Sequence, residues 1–333
     1  MLHKLKKIAI TGKGGFWGPF FLFMLVLQGL SASGRRQTDT IVNILGIKGP
    51  SGIAMIKMFE NPPKIEGYEI RIEALSQADL ISGRLISGEA QFGMLPPNIA
   101  AKIASQGINL QTVAVTGTGM LSLLSSDPAV SSLESLAGKR IEIANAGAVP
   151  DYILRRLLLD RGLNPEKDLV LSYSLSSPEI AASLISGRIS TALLPEPFAS
   201  MVLSSSSSVR RIGNIQDEWR GTYGGEYPIT VMAVNGKFAE DHPAAVNAIL
   251  ASIEDSIRWV IANTAEAGIL AEKHGMGISA QIAGLAIPAS NYRYIPADRA
   301  RPELEALFKV LYDLNPQSVG RMPEEKFYYR AAH

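Results

Sequence analysis

Apolar and polar positions follow two rhythms along this chain, and their succession predicts its architecture. IVNILGI at residues 41–47 is a continuous apolar run, the pattern of a strand buried on both faces. Gly49, Pro50, Ser51 and Gly52 turn the chain into IAMIKMF, whose apolar residues fall at helical spacing. YEIRIEAL at 68–75 alternates with period two and predicts a second strand. ADLISGRLISG predicts a helix stopped by Gly88, and AQFGML at 90–95 a third strand closed by Pro96 and Pro97. A helix over 98–105 and a fourth strand in NLQTVAVTG complete the round.

The succession then restarts. KRIEIAN at 139–145 predicts a strand, 147–150 a loop, and DYILRRLLLDRG a helix ending at Gly162. LVLSYSL is a further strand, SPEIAASLISG a helix opened by Ser177 and Pro178, and ISTALLP another strand. Pro197 is expected at the first position of the next helix, where a missing N–H leaves no bond unmade. LISGEAQFGMLPPNIA at 85–100 aligns without a gap with LISGRISTALLPEPFA at 184–199, so one phrase is spelled twice. GNIQDEWRGTYGGEYP reads as a loop and ITVMAVN at 229–235 as a strand. Residues 244–263 carry an apolar stripe at helical spacing, and further helices are expected over 265–273, 279–285 and 302–313.

Two rounds of alternating strands and helices predict an α/β fold: two Rossmann-like lobes with mostly parallel sheets, joined by a two-segment hinge. Residues 40–122 and 228–333, with the C-terminal helices, would form a discontinuous first lobe. Residues 123–227 would form the second. The crossings are expected near 119–126 and 227–234, where a few backbone torsions can swing one lobe against the other.

Composition refines the picture. With 47% hydrophobic and 19% charged residues in 333, the chain suits well-packed lobes rather than disorder. The formal charge of +1 includes Lys4, Lys6, Lys7 and Lys13; without residues 1–33 it becomes −3, which argues against a nucleic-acid partner. Those lysines precede the apolar core FWGPFFLFMLVL and then GLSASG, the arrangement of a secretory signal cleaved near Ser33. An uncleaved anchor competes, but the run is shorter than the roughly 20 residues that span a bilayer. There is no cysteine, hence no lipid-bearing cysteine at the cleavage point. An extracytoplasmic, periplasmic or secreted location follows.

In open parallel sheets, strand ends and helix starts face the crevice. The candidate ligand-binding residues are therefore Ser51, Gly52, Pro96, Asn98, Thr116, Thr118, Gly147, Ala148, Asp151, Glu196, Tyr223 and Glu226. The loops at Ser51 and Gly147 offer unpaired N–H groups to acceptor atoms; the alternative is that Ser51 is a helix cap and the glycines turn residues. Glu196 can accept from a ligand amine or ring N–H, or simply complement a helix dipole. Asp151 can contact ligand or cap its helix, and Tyr223 and Tyr227 can stack on a planar molecule or pack. No arginine or lysine falls among these positions, which favours a neutral or partly cationic organic ligand, heterocycles included, over a small oxyanion.

Catalytic patterns are scarce. The histidines are His3, His242, His274 and His333, none at a predicted strand end, and HExxH, GxSxG and GxxxxGK[ST] are all missing. No metal and no cofactor is expected.

The ordered phrases GPSG, GEAQFGMLPPNIAAK, SSLESLAGKRIEIANAGAVPDYILRRLLLDRGLNPEKDL, LISGRISTALLPEPFAS and ITVMAVNGKFAEDHPAAVNAILASIEDSIRWV resemble the periplasmic substrate-binding proteins of ABC importers. Their fold is type II, and the branch is the NMT1/THI5-like one serving sulfonates, nitrate and thiamine-pyrimidine precursors. The resemblance implies a non-enzymatic monomer that closes on a small molecule and docks on the membrane subunits of an ABC permease. It also implies contacts at Ser51, Gly52, Asn98, Gly147, Ala148 and Glu196. Eukaryotic pyrimidine-precursor synthases of similar fold carry a cysteine-rich motif that this chain lacks. The alternatives are a menaquinone-pathway type of lyase, using Asn98 or Glu196 for proton transfer, and a ligand-sensing module.

Overall fold

The computed structural model describes residues 39–330, so the expected leader at 1–33 lies outside the described residues. The first round of elements runs β1 (Thr40–Ile47), α1 (Pro50–Ala54), α2 (Ile56–Glu60), β2 (Tyr68–Leu75), α3 (Ala78–Ile86), β3 (Phe92–Leu95), α4 (Pro97–Ser105) and β4 (Leu110–Thr118). The second runs β5 (Leu121–Ser125), β6 (Arg140–Ile143), α5 (Val149–Asp160), β7 (Val170–Ser172), α6 (Ser177–Ile185), β8 (Thr191–Pro195), α7 (Phe198–Ser205), β9 (Arg210–Asn214) and α8 (Ile215–Tyr223). The chain ends with β10 (Pro228–Asn235), α9 (Gly236–Asp241), α10 (Pro243–Ala262), α11 (Thr264–Lys273), α12 (Ala280–Ala286), β11 (Tyr292–Pro296) and α13 (Ala297–Leu314).

These strands make two sheets with a shared plan. The six-stranded sheet has the order β11-β4-β10-β3-β1-β2 and the five-stranded sheet β7-β6-β8-β5-β9. Each holds a parallel trio, β2-β1-β3 in one and β7-β6-β8 in the other. Beside each trio lies one antiparallel strand, β10 and β5 respectively. Both of these strands follow directly on a crossing between the halves, so the chain arrives from the other half on the strand that opposes the trio. β11 also runs antiparallel, to β4. The expectation of mostly parallel sheets thus holds for the trios, while the entering strands reverse direction because the chain returns from the other half.

Three local readings are corrected. Residues 213–228 are a loop only at 224–227: Asn214 caps α8 by accepting from the Gln216 N–H, and Ile215 and Trp219, one helical turn apart, are buried. The glycines and acids of that stretch had masked a short amphipathic helix. Pro197 sits at the N-cap, with α7 starting at Phe198, and the Glu196–Pro197 bond is cis. α13 begins five residues before Pro302, because Ala297 and Ala300 already belong to the buried stripe of Leu304, Leu307, Phe308 and Leu311. β9 and β11 have no counterpart in the pattern reading; both are short and carry arginines.

The halves do not meet only through their crossings. One apolar cluster joins Leu85 and Val115 of the first sheet's side to Leu123, Ile143, Leu154 and Trp219 of the second, with α13 contributing Leu304 and Phe308. α13 packs on α5, α12 contacts α7, and Asn315 Nδ2 donates to Tyr152 Oη at 3.0 Å. Separate clusters cover the opposite face of each sheet. Among the described residues no helix is long and apolar enough to cross a membrane.

Candidate functional site

The repeated phrase ends each time at the carboxyl edge of a strand, and Glu196 emerges there from β8. Its side chain is 1% exposed. Oε2 accepts from the Ser200 N–H at 3.0 Å, which ties the carboxylate to the first turn of α7. Oε1 lies 3.4 Å from Arg211 Nη2. Burial pushes the Glu196 carboxyl above its ordinary value, and the hydrogen bond from Ser200 and the charge of Arg211 oppose that rise without cancelling it.

A cavity of about 340 Å³ opens beside this carboxylate. The strands of the five-stranded sheet and their ends supply Ser122, Glu196, Arg211 and Asn214, and the segment before β11 supplies Pro288, Ala289 and Asn291. Met120 and Leu121, at the crossing from β4 to β5, close it. Gly119, Met120 and Asn291 all have positive φ (64°, 66° and 46°), so the backbone at this junction takes a conformation that only glycine adopts freely. A Cβ on Gly119 would lie 2.6 Å from Gln216 Oε1 and 2.8 Å from Asn291 Nδ2. Gln216 itself is buried with both amide atoms unpartnered. Unpaired buried groups cost about 1–3 kcal/mol each, so this amide marks the junction as unusual.

The other predicted residues distribute unevenly. Gly147 and Asp151 line a separate cavity of about 530 Å³ that reaches Asn315. Asp151 is fully engaged, accepting from the Gly147 N–H at 2.8 Å, Arg155 Nε at 2.7 Å and Tyr173 Oη at 2.7 Å, while Ala148 is the N-cap of α5. Asn98 lies in the first turn of α4 behind Pro96, buried, with Oδ1 unpartnered. Thr116 donates to the Thr230 carbonyl at 3.4 Å, and Thr118 to Glu226 Oε2 at 3.3 Å. Glu226 also takes Arg220 at 2.7 Å. Tyr223 donates to Asp160 at 2.7 Å and stacks on Trp219 with centroids 4.3 Å apart. Tyr227 is fully buried against the same indole, as part of the core. Gly49, not Ser51, is the N-cap of α1. A Cβ on Gly52 would lie 2.5 Å from Met276 Sδ, so the close approach this glycine permits is to the protein itself.

The reading of a crevice without arginine is corrected by Arg211, which lines the same cavity as Glu196. Arg211 and Asn214 carry no signal of the cavity in the sequence because β9 is short and opens on two arginines instead of an apolar alternation. Asn291 had one signal: asparagine tolerates left-handed backbone better than other non-glycine residues. Among the described residues no group of three or more histidines, cysteines and carboxylates could hold a metal.

Residues 97–273 match the model of the NMT1-like family. No curated protein matches the chain. Among solved structures, an ABC transporter from Parabacteroides distasonis is similar at a TM-score of 0.74 and 23% identity, over 89% of this chain and 100% of that one. The periplasmic aliphatic sulphonate binding protein SsuA from Escherichia coli is similar at 0.70 and 16%, over 88% and 92%. A DszB variant in complex with biphenyl-2-sulfinic acid is similar at 0.60 and 16%, over 84% and 93%. At these identities the likeness establishes the fold, that of the type II periplasmic binding proteins.

Proposed function

The chain belongs to the NMT1-like family, and from that premise we propose that it is an extracytoplasmic solute-binding protein. It captures a small organic molecule between two lobes and delivers it to an ABC permease. The lobes are residues 40–122 with 228–333, and residues 123–227. The observation that carries this reading is a carboxylate, Glu196, that is 1% exposed yet borders a cavity walled by both halves. A buried charge with one backbone partner and one long ionic contact retains acceptor capacity, which a ligand donor can fill.

The chain's crossings support a hinge. It passes between the sheets only at β4 to β5 and at α8 to β10, within the described residues. A ligand that touches both lobes binds their closed arrangement better, and that difference alone shifts the equilibrium. Glu196 and the unpartnered Asn98 oxygen are the recognition groups of the two repeated phrases, with Pro96, Thr116, Thr118 and Ser51 in their surroundings; Gly147 belongs to the separate cavity at Asp151.

Native mass spectrometry of gently isolated protein, followed by mass balance on the released molecule, tests the reading. The expected result is one small molecule, recovered unchanged and rebinding at unit stoichiometry. Chemical conversion of that molecule on incubation would overturn the binding role. Rebinding that Glu196→Gln leaves unaltered would remove Glu196 from the site.

A further inference from the structure

The geometry points to a zwitterion as the ligand of the cavity at Glu196 and Arg211: a small molecule carrying both a cationic amine and an acidic group. This rests on the binding role proposed above and sharpens its ligand class. Glu196 and Arg211 face the same space of about 340 Å³, within the range of small-molecule sites. They stand 3.4 Å apart, the longest ion pair described with both partners in that half of the molecule. Charge-assisted pairs normally close to about 2.7–2.9 Å. Elsewhere in the same half, the buried Asp151 meets Arg155 at 2.7 Å and the buried Glu142 meets Arg140 at 3.0 Å. The pair at the cavity is engaged only by one long contact.

Charge accounting then selects the ligand. The Glu196–Arg211 pair is neutral as a unit and half its partners are buried, the carboxylate at 1% and the guanidinium at 37% exposure. An anion alone would leave the site net negative and a cation alone net positive, each in a setting where an uncompensated charge is expensive. A zwitterion inserts between the two, gives each its own partner and keeps the site neutral. Arg211 offers a planar fork suited to an acidic group, and Glu196 Oε1 offers an acceptor to an ammonium. Asn214 and Asn291, one from each half, add uncharged donors and acceptors to the body of the molecule. Asn214 already spends its Oδ1 on the Gln216 N–H, which leaves its amide N–H groups for the cavity. Asn291 belongs to the first half and Arg211 to the second, so the same ligand would draw the halves together.

The test is thermal shift and calorimetry on the purified full chain. The probes are the proteinogenic amino acids and straight-chain ω-amino acids, each with the amine lacking its acid group and the acid lacking its amine. Stabilisation by a zwitterion, with its amine-only and acid-only relatives weaker by about 10- to 100-fold, is the expected result. For that zwitterion, Glu196→Gln and Arg211→Gln should each lose about 10- to 100-fold, and Glu196→Gln should lose nothing for the acid-only relative. The glutamine keeps an oxygen for the Ser200 N–H, and unchanged far-ultraviolet dichroism checks that both variants fold. Equal stabilisation by a single-charge relative would overturn the zwitterion while leaving the binding role intact. So would no stabilisation by any probe alongside stabilisation by a cell extract. Silence from both probes and extract would overturn the zwitterion and the binding role together.

Discussion

The phrases at residues 85–100 and 184–199 share a helix, a turn and a strand, yet they end in opposite chemistry. Both helices stop at a left-handed glycine, Gly88 with φ 77° and Gly187 with φ 73°, and both strands are buried along their length up to a proline. In the first phrase the strand runs straight into α4 at Pro97, and the polar residue left behind is Asn98, neutral, with an oxygen that has no partner. In the second, a glutamate occupies the position of Pro97, α7 starts one residue after Pro197, and the carboxylate turns back to cap that helix at Ser200. The strands differ too. Gly93 is pressed by Ile81 and Leu85, so that a Cβ would lie 2.6 and 2.8 Å from their methyl groups, whereas Ala192 fills the same place in the second strand. One backbone plan therefore carries a tight, uncharged copy and a looser copy that holds a charge. The duplication fixes where a site can form, and the substitutions within it fix what the site can hold.

The largest effects should come from the shared scaffold. Leu85→Ala and Leu184→Ala, both essentially unexposed, should each cost about 2–5 kcal/mol in guanidinium unfolding. Fluorescence of Trp219 and Trp259, which report on different halves, should show a single transition in both variants, because one apolar cluster runs through both sheets. Two separated transitions would break the picture of a shared core. Next, Gly93→Ala should destabilise by about 1–3 kcal/mol through overpacking, while Ala192→Gly should cost about 1 kcal/mol through lost packing and added chain entropy. A smaller and equal pair is expected for Gly88→Ala and Gly187→Ala, about 1 kcal/mol each, since both force a Cβ into left-handed backbone. Unequal costs there would mean that the two helix stops are not equivalent.

The finest difference lies in pH. The pKa of the Glu196 carboxyl is raised in the folded state above its ordinary value, chiefly by burial. The folded state then holds a proton that the unfolded state has already released, so stability falls as pH rises from the ordinary value through the raised one, and is flat below it. Melting temperature followed from about pH 4 to pH 8 should decline for the natural chain relative to Glu196→Gln. Asn98→Leu, at the neutral end of the other phrase, should leave that slope unchanged. A slope of the opposite sign would mean that Arg211 and Ser200 outweigh burial at Glu196.

Much of the scaffold was legible because its signals are local. β2 alternates from Tyr68 to Ala74, β1 pairs with it along its full length, and α10 presents Val246, Ile249, Leu250, Ile253 and Ile257 on one buried stripe. α8, β9 and β11 were not legible for the same reason turned round: each is short, rich in charge or glycine, and stabilised by neighbours distant in sequence. The candidate site was read in part. Glu196 stands out as an acid between two prolines after an apolar strand, whereas Arg211 and Asn291 carry no local mark of the cavity they line.

The kinds of elements, their doubled order and the places where glycine and proline break them are written in the chain, since side-chain period and backbone sterics act over a few residues. Which charges meet depends on the packed fold. β5 pairs with β8 at Leu121 and Pro195 and with β9 at Leu124 and Arg211, and this common neighbour is what carries Arg211 to within 3.4 Å of Glu196. Strand register is set by packing and hydrogen bonding across the whole sheet, so no window along the chain contains it.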